Sequence, residues 1–453
     1  MDSFNPKALD EFARYYGFHY DISDPAILVR DILISMDRGL RGQKSVLPMI
    51  PSYISPAAAM PPGKRVIALD AGGTNLRASL VHFTEKGETV TEGTHKVPMP
   101  GTRGRVGVEQ FFDQIAELTA PLFEGAGKEK IEGIGFCFSY PMEITKESDG
   151  IPLQFSKEVD APEVIGTKIG EGLRNALARR GIKVPERLVL LNDTVSTLLS
   201  GLVLIPADGG TRKGEDKYGV EAGPVIGVIL GTGFNTAYPE KSIPKIGFES
   251  ETNPQVVVCE TGNFNPRFLG PLDREYDATT KNPGTYTQEK ASAGAYLGPL
   301  TLHILKQAVN EGLLKFKKSA ELLSWPTLQT KDLNGFMHAP LAGEGPLGGL
   351  FGSGERDAIA TLSYLTSIVT KRGALFSAAV VAAMVERIGA GHDPLVPVRI
   401  AVEGTTYVMY RGMRETLEAN LHLLLNREGP RAYAISPVEQ ASLLGAAVAA
   451  LSA

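Results

Sequence analysis

The chain carries two strand-to-turn units rich in glycine and threonine, each closed by asparagine. The first is Val66-Ile67-Ala68-Leu69-Asp70-Ala71-Gly72-Gly73-Thr74-Asn75, and the second is Val225-Ile226-Gly227-Val228-Ile229-Leu230-Gly231-Thr232-Gly233-Phe234-Asn235. Glycine permits positive φ and close backbone approach, so successive N–H groups can converge on anionic oxygens while a threonine hydroxyl adds a donor. Two such turns could hold one chain of phosphates between them. A pair of tight hairpin turns is the plainer reading, and a single Gly-Gly turn would favour it. Asp70 shifts the balance, because a carboxylate at the end of the first strand can hold Mg²⁺ or its water shell beside those phosphates.

A second group of reactive residues is Asn192-Asp193-Thr194, which follows the apolar run 187–191 and precedes an apolar helical stretch to Ile205. An Asp or Thr at such a junction is most often an N-cap. Strand carboxyl ends are also where α/β proteins take ligands, and an Asp beside an Asn can accept a hydroxyl proton and orient the alcohol. In Gly135-Phe136-Cys137-Phe138-Ser139-Tyr140-Pro141, proline holds Tyr140 extended, and Ser139 can donate to a sugar hydroxyl or cap the turn. Ser156 and Lys157 offer a hydroxyl and a cation for substrate oxygens, although an isolated lysine is more often a solvated charge. Glu260 follows Val256-Val257-Val258, and Glu289 follows Asn282-Pro283-Gly284. Taken singly, each is ordinary.

Other patterns fail on spacing. Gly125-Ala126-Gly127-Lys128 lacks the upstream glycine and following Ser/Thr of a P-loop, and Gly231-Thr232-Gly233 lacks the third glycine of a dinucleotide fingerprint. The only cysteines are Cys137 and Cys259, which excludes a disulfide framework and a four-cysteine zinc site. Cys137, between two phenylalanines, reads as a small core residue. The seven histidines have no metal-binding spacing.

The elements that must position these residues alternate. Length alone, at 453 residues, predicts two domains with a ligand cleft between them. Residues 7–17 and a second helix from Asp24-Pro25 to about Gly39 form a helical arm, and the proline-rich stretch 48–63 marks a boundary. Apolar runs at 66–69, 76–83, 131–138 and 187–191, with amphipathic stretches near 108–123 and 163–180, imply α/β layers. The loop from Pro206 to Pro224 reads as a surface connection. Residues 286–323 and 355–390 read as mainly helical. Ser436-Pro437-Val438-Glu439 has the form of a capping box that launches a buried C-terminal helix. A net charge of −5 gives no basic excess for nucleic acid, and no apolar run approaches bilayer length. The N-terminus lacks the basic start and apolar core of a signal peptide, which predicts an unprocessed cytoplasmic protein.

Taken in order along nearly the whole chain, these segments resemble the hexokinase family, of the two-lobed actin-like ATPase (ribonuclease H-like) fold. Leu47-Pro48-Met49-Ile50-Pro51 is similar to the family's pre-strand segment, Leu69 to Arg77 to its first phosphate motif, and Gly135 to Pro141 to its Phe-Ser-Phe-Pro strand, with Tyr140 replacing one phenylalanine. Asn192-Asp193-Thr194 matches the catalytic triplet, and Gly231 to Tyr238 resembles the second phosphate motif. Asn282-Pro283-Gly284 leads to Glu289-Lys290 at the family's spacing, and Val402-Glu403-Gly404-Thr405 with Tyr407 resembles the adenosine segment. Two segments depart at the sugar end. Glu260-Thr261-Gly262-Asn263-Phe264-Asn265 stands for Glu-Trp-Gly-Ala-Phe-Gly, and Phe155-Ser156-Lys157-Glu158 for Trp-Thr-Lys-Gly.

The resemblance implies a helical arm over 1–60 on the large domain, a small domain over 61–196 completed by a C-terminal helix at 437–453, and a large domain over 197–436. It implies a hexose, D-glucose first, bound by Ser139, Ser156, Lys157, Asn192, Asp193, Asn235, Glu260 and Glu289. Asp193, with Lys157 beside it, takes the proton of the 6-hydroxyl as that oxygen attacks the γ-phosphate of ATP. Gly72, Gly73, Thr74, Asn75, Arg77, Gly231, Thr232 and Gly233 meet the phosphates, Gly404 and Thr405 the adenosine, and Asp70 positions Mg²⁺ through water. A kinase for another hexose such as fructose, mannose or glucosamine, a non-catalytic sugar sensor and a sugar-independent ATPase of the same fold remain as alternatives.

Overall fold

The computed structural model describes residues 4–56, 63–85, 88–127, 129–155, 158–204, 223–352 and 354–452. Two capped helices open the chain: α1 (Pro6–Tyr15), whose Ala8 N–H donates to Asn5 Oδ1, and α2 (Pro25–Leu40), whose Ala26 N–H donates to Asp24 Oδ1. Proline starts both, at a position where a missing N–H costs no helical bond.

The first sheet contains β1 (Lys64–Gly72), β2 (Asn75–Phe83), β3 (Thr89–Pro98), β4 (Ile131–Phe138) and β5 (Arg187–Leu191), in the order β3-β2-β1-β4-β5. The meander β1-β2-β3 is antiparallel, whereas β4 and β5 run parallel to β1. Parallel strands need both faces covered. Along β1, Ile67, Leu69 and Ala71 enter a core with α3 (Val108–Gly125) and α4 (Ile169–Arg179), while Val66 and Ala68 enter a second core with α5 (Asp193–Leu204).

The second sheet repeats that order. Its strands β6 (Val225–Leu230), β7 (Phe234–Glu240) and β8 (Gln255–Val258) form an antiparallel meander, and β9 (Val398–Glu403) and β10 (Tyr433–Pro437) pair parallel on the other side of β6. Ile50–Pro51 adds an edge beside β8. Between β8 and β9 lie α6 (Thr287–Ser292), α7 (Gly294–Asn310) and α8 (Arg356–Ile388). The 33-residue α8 corrects the expectation about apolar length: it is long and apolar enough to cross a bilayer, but its most apolar window is 94% buried within the protein. A helix that is apolar all round needs neighbours all round, and α1, α2, α7 and β7 are among them, with α10 (Met413–Leu425) packed beside it after the short α9 (Thr405–Met409). The arm therefore lies against the second half.

The C-terminus also differs from its sequence pattern. Ser436 and Pro437 finish β10, paired with Ala401 and Val402, and α11 (Ala441–Ala449) starts only after Gln440, whose φ is 53°. The capping-box reading fails because the parallel ladder continues through its first two residues, and an edge strand tolerates proline. The helix begins at 441 rather than 437. It packs on α5, β1 and β4, where side-chain-free positions permit contact: a Cβ on Gly445 would lie 2.0 Å from Ser196 O, and one on Gly135 1.8 Å from Ala446 O. Most of the expected surface loop at 206–224 lies outside the described residues.

Candidate active site

The end of β5 sets the first group. Asn192 Oδ1 accepts from the Thr194 N–H at 2.8 Å, and the Asn192 carbonyl accepts from Ser196 N–H, so the capping function falls on Asn192. Asp193 is thereby free to be the first residue of α5 without having to cap it. Thr194 Oγ1 donates to Asp193 Oδ1 at 3.3 Å. Loss of solvent pushes the Asp193 carboxyl above its ordinary value, and the Asp70 charge adds to the shift.

Asp70 comes from the β1 end, 3% exposed, with Arg77 on the neighbouring strand donating from Nε to Oδ2 at 2.8 Å and from Nη2 to the same oxygen. Burial raises this carboxyl and Arg77 opposes the rise. Arg77 therefore faces Asp70 rather than standing free for phosphates. In the turn beyond, Gly73 has φ 57°, and Gly73 and Thr74 are exposed while Gly72 and Asn75 are half-buried. Asn75 Nδ2 donates to Thr74 Oγ1, and Tyr140 OH donates to the Gly73 carbonyl at 2.5 Å. The phenol that replaces phenylalanine thus pins the turn. Ser139 stands beside it, with its N–H on the Ala71 carbonyl and its hydroxyl 3.5 Å from where a Gly72 Cβ would sit. Cys137 is buried, and burial pushes its thiol well above the ordinary range, as a core residue requires.

The second turn is braced from several sides. Gly231 N–H donates to the Gly233 carbonyl, the Gly231 carbonyl accepts from Gly294 N–H and Thr406 Oγ1, and Thr232 O accepts from Ala295 N–H. The start of α7 and the start of α9 therefore meet at this loop. Gly404, with φ 129°, lies so close that a Cβ there would be 2.3 Å from Leu230 O, and only glycine fits both demands. Thr232 and Thr405 are exposed beside it. Glu289 Oε2 accepts from Phe234 N–H at 2.9 Å, while Asn235 Nδ2 donates to Glu260 Oε1 at 2.8 Å. Asn235 Oδ1 accepts from the N–H groups of Thr236 and Thr261. Burial raises both acids, Glu260 to about 6, with the charges of Asp193 and Glu289 contributing at Glu260.

The structure thus brings Asp193 within electrostatic reach of both Asp70 and Glu260, at the ends of strands from both sheets, with Ser139 and Asn192 beside them and Asn235 and Glu289 around Glu260. Ser156 and Lys157 lie outside the described residues. Sequence reasoning gave no chemical role to Glu403, which ends β9 and whose Oε2 lies in hydrogen-bond contact with Thr197 Oγ1, 3.2 Å away. Its signal was present: an acid that ends an apolar strand just before glycine or alanine is what singled out Asp70. Tyr286, with φ 54° and a phenol raised by burial and by Glu260 and Glu289, was also passed over. A groove of about 1200 Å³ along β5 and α4 shares none of the site residues.

Comparison with known proteins gives the arrangement its family. Two family models, both described as hexokinase, match residues 15–203 and 225–452. Hexokinase-5 of Oryza sativa subsp. japonica is 27% identical over 95% of this chain and 87% of its own length, and hexokinase-1 of Arabidopsis thaliana is 28% identical over 96% and 90%. Among solved structures, the hexokinase of Schistosoma mansoni complexed with glucose aligns over 99% of this chain and 100% of its own, with a TM-score of 0.71 at 24% identity. That likeness establishes the two-lobed actin-like ATPase fold. The chain belongs to the hexokinase family, phosphotransferases that use ATP and take a hexose alcohol as acceptor.

Proposed function

We propose that the chain transfers the γ-phosphoryl group of Mg-ATP to the 6-hydroxyl of a hexose, D-glucose first, giving hexose 6-phosphate and ADP. The observation that carries this reading is that Asn192 takes over the helix cap, leaving the Asp193 carboxyl, among the described residues, with local donors, its own N–H and those of Thr194, and facing Asp70 and Glu260. In this reading Asp193 accepts the proton of the attacking hydroxyl, and its raised basicity favours that role. Ser139, Asn192, Asn235, Glu260 and Glu289 surround the sugar hydroxyls, and the family resemblance adds Ser156 and Lys157 to the set. A polar cage of this kind discriminates because an analogue that lacks a hydroxyl leaves a buried partner unsatisfied.

The turns at Gly72 to Asn75 and Gly231 to Gly233, exposed at Gly73, Thr74 and Thr232, face the nucleotide tail, with Gly404 and Thr405 beneath the nucleoside. Among the described residues no group of three or more His, Cys, Asp or Glu side chains could hold a metal ion. Asp70 nevertheless fits a solvated Mg²⁺: both Arg77 contacts fall on Oδ2, and Oδ1 is the oxygen on the Gly72 side. When bound with ATP, that ion would offset charge on the phosphate oxygens. Phosphoryl transfer asks the protein mainly for positioning and exclusion of water, so two lobes that enclose the reactants suit it. We further propose lobes at 61–196 with the C-terminal helix and at 197–436, an arm over 1–60, and a cytoplasmic setting within carbohydrate breakdown; the last is supported by two cysteines that are both free and buried.

A coupled assay of ADP release over glucose, fructose, mannose and glucosamine, with and without Mg²⁺, tests the proposal. Glucose-dependent ADP formation that requires Mg²⁺ is the expected result. Another preferred hexose would replace glucose, and tight sugar binding with no ADP would make the protein a sensor.

A further inference from the structure

We propose that Glu403 is a positioning residue of the phosphoryl-transfer centre: as an uncharged carboxylic acid it donates to Thr197, which in turn holds the first turn of the helix that carries Asp193. The geometry around one hydroxyl carries the inference. Thr197 Oγ1 lies 3.0 Å from the Asp193 carbonyl oxygen and 3.2 Å from Glu403 Oε2. A hydroxyl has one proton, so donating to both acceptors at once leaves it a shared, weaker three-centre bond. Two full-strength bonds form when Thr197 donates to Asp193 and Glu403 supplies the second proton.

The surroundings favour that protonated form. Asp193 from α5 and Asp70 from β1 face Glu403, and among the described residues the opposing charge, Arg77 from β2, is already paired with Asp70. Of the other elements packed most closely on β9, β6 carries no titratable side chain, and β10 and α9 bring the phenols of Tyr433 and Tyr407 but no charge. Burial pushes the Glu403 carboxyl up to about 7, and the Asp193 and Asp70 charges act in the same direction, against Thr197 and Arg77. Glu403 immediately precedes Gly404, which abuts the second turn. The neutral acid thus admits a polyanionic phosphate tail between Asp70 and Gly404, whereas the ionised one adds a third carboxylate in its path.

This inference rests on the proposed roles of Asp193 and the two turns, and the test separates them. Initial rates are measured from about pH 6 to about pH 9, with free Mg²⁺ high enough to keep the nucleotide as its magnesium complex, for the wild type, Glu403→Gln, Glu403→Leu and Asp193→Asn. In the wild type kcat/KM for the nucleotide should fall above about pH 7, approaching tenfold per pH unit, while kcat changes less, because bound phosphates keep Glu403 protonated. Glu403→Gln keeps a donor and cannot ionise, so it should lose the alkaline fall and retain several-fold more kcat than Glu403→Leu, which should lose about tenfold at every pH. A Glu403→Gln variant that keeps the wild-type alkaline fall, or a Glu403→Leu variant with the kcat of Glu403→Gln, overturns the proposal. Should Asp193→Asn turn over normally, the base assignment fails, whatever the alkaline limb does.

Discussion

At the scale of single residues, the site works by dividing tasks between neighbours in sequence. Asn192 caps, so Asp193 need not; Asn235 fixes Glu260, and the Phe234 N–H fixes Glu289. Glu260 receives the Asn235 amide as an acceptor, and its carboxyl is raised to about 6 chiefly by burial. Above that value it is an ionised acceptor for sugar hydroxyls; below it, protonation removes the charge and converts one oxygen to a donor. Hexose affinity is therefore expected to weaken as pH falls through about 6. Titration of the sugar by calorimetry on the wild type and Glu260→Gln checks this: the variant should bind at least tenfold more weakly at neutral pH, with no pH dependence in that range, as expected for loss of a charge-assisted bond. Asp70 and both turns were legible in the sequence because glycine, threonine and a strand-ending acid have few other reasons to occur together. Glu403 carried a similar local sign and was passed over because its partner, Thr197, is distant in sequence and reaches it only once α5 packs on β9. Tyr140 is legible only as a substitution until the fold brings its phenol to Gly73.

At the scale of elements, the strands at 66–69, 76–83, 131–138 and 187–191 and most helices followed from apolar runs and caps, whereas β3, β9 and β10 did not. Nor did the C-terminal helix. A serine followed by proline and, three positions on, by glutamate satisfies the local rule for a helix start, yet the pairing of Ser436 with Ala401 and of Pro437 with Val402 outweighs it. Local rules see capping donors, and they do not see a ladder partner from β9. The α8 helix is a related case, since its apolar composition has two physical outlets, lipid or protein, and only the packed core distinguishes them. The α5–α11 contact is the element-scale feature most open to test. A methyl group on Gly445 would meet the Ser196 carbonyl oxygen at 2.0 Å, so Gly445→Ala forces the helices apart or bends one. Overpacking of this kind costs about 1–3 kcal/mol. Thermal unfolding of Gly445→Ala should show a lower midpoint than the wild type; an equal midpoint would mean that the helix crossing is looser than described.

At the scale of the whole molecule, two sheets of the same strand order place their strand ends toward a common site, which explains why the sequence carries two related strand-to-turn units. Collecting acids there has a cost in stability. Glu260 and Glu403 are raised from an ordinary 4.5 to about 6 and about 7, so each favours the folded ligand-free state when protonated and loses that contribution as pH rises from about 4.5 through its folded value. Each tenfold difference in proton affinity between the folded and unfolded chain is worth about 1.4 kcal/mol, so the melting midpoint of the ligand-free protein should fall measurably between about pH 5 and about pH 8. Glu403→Gln should reduce that fall. An unchanged midpoint across the same range would argue against buried acids at the junction. The central claim is that the molecule brings a phosphate chain and a sugar hydroxyl together at Asp193. Its most direct test is Asp193→Ala, with turnover and hexose binding measured on the same preparation. Binding should persist while turnover falls by roughly two to four orders of magnitude, the range for loss of a general base; turnover within a few-fold of the wild type would contradict the account.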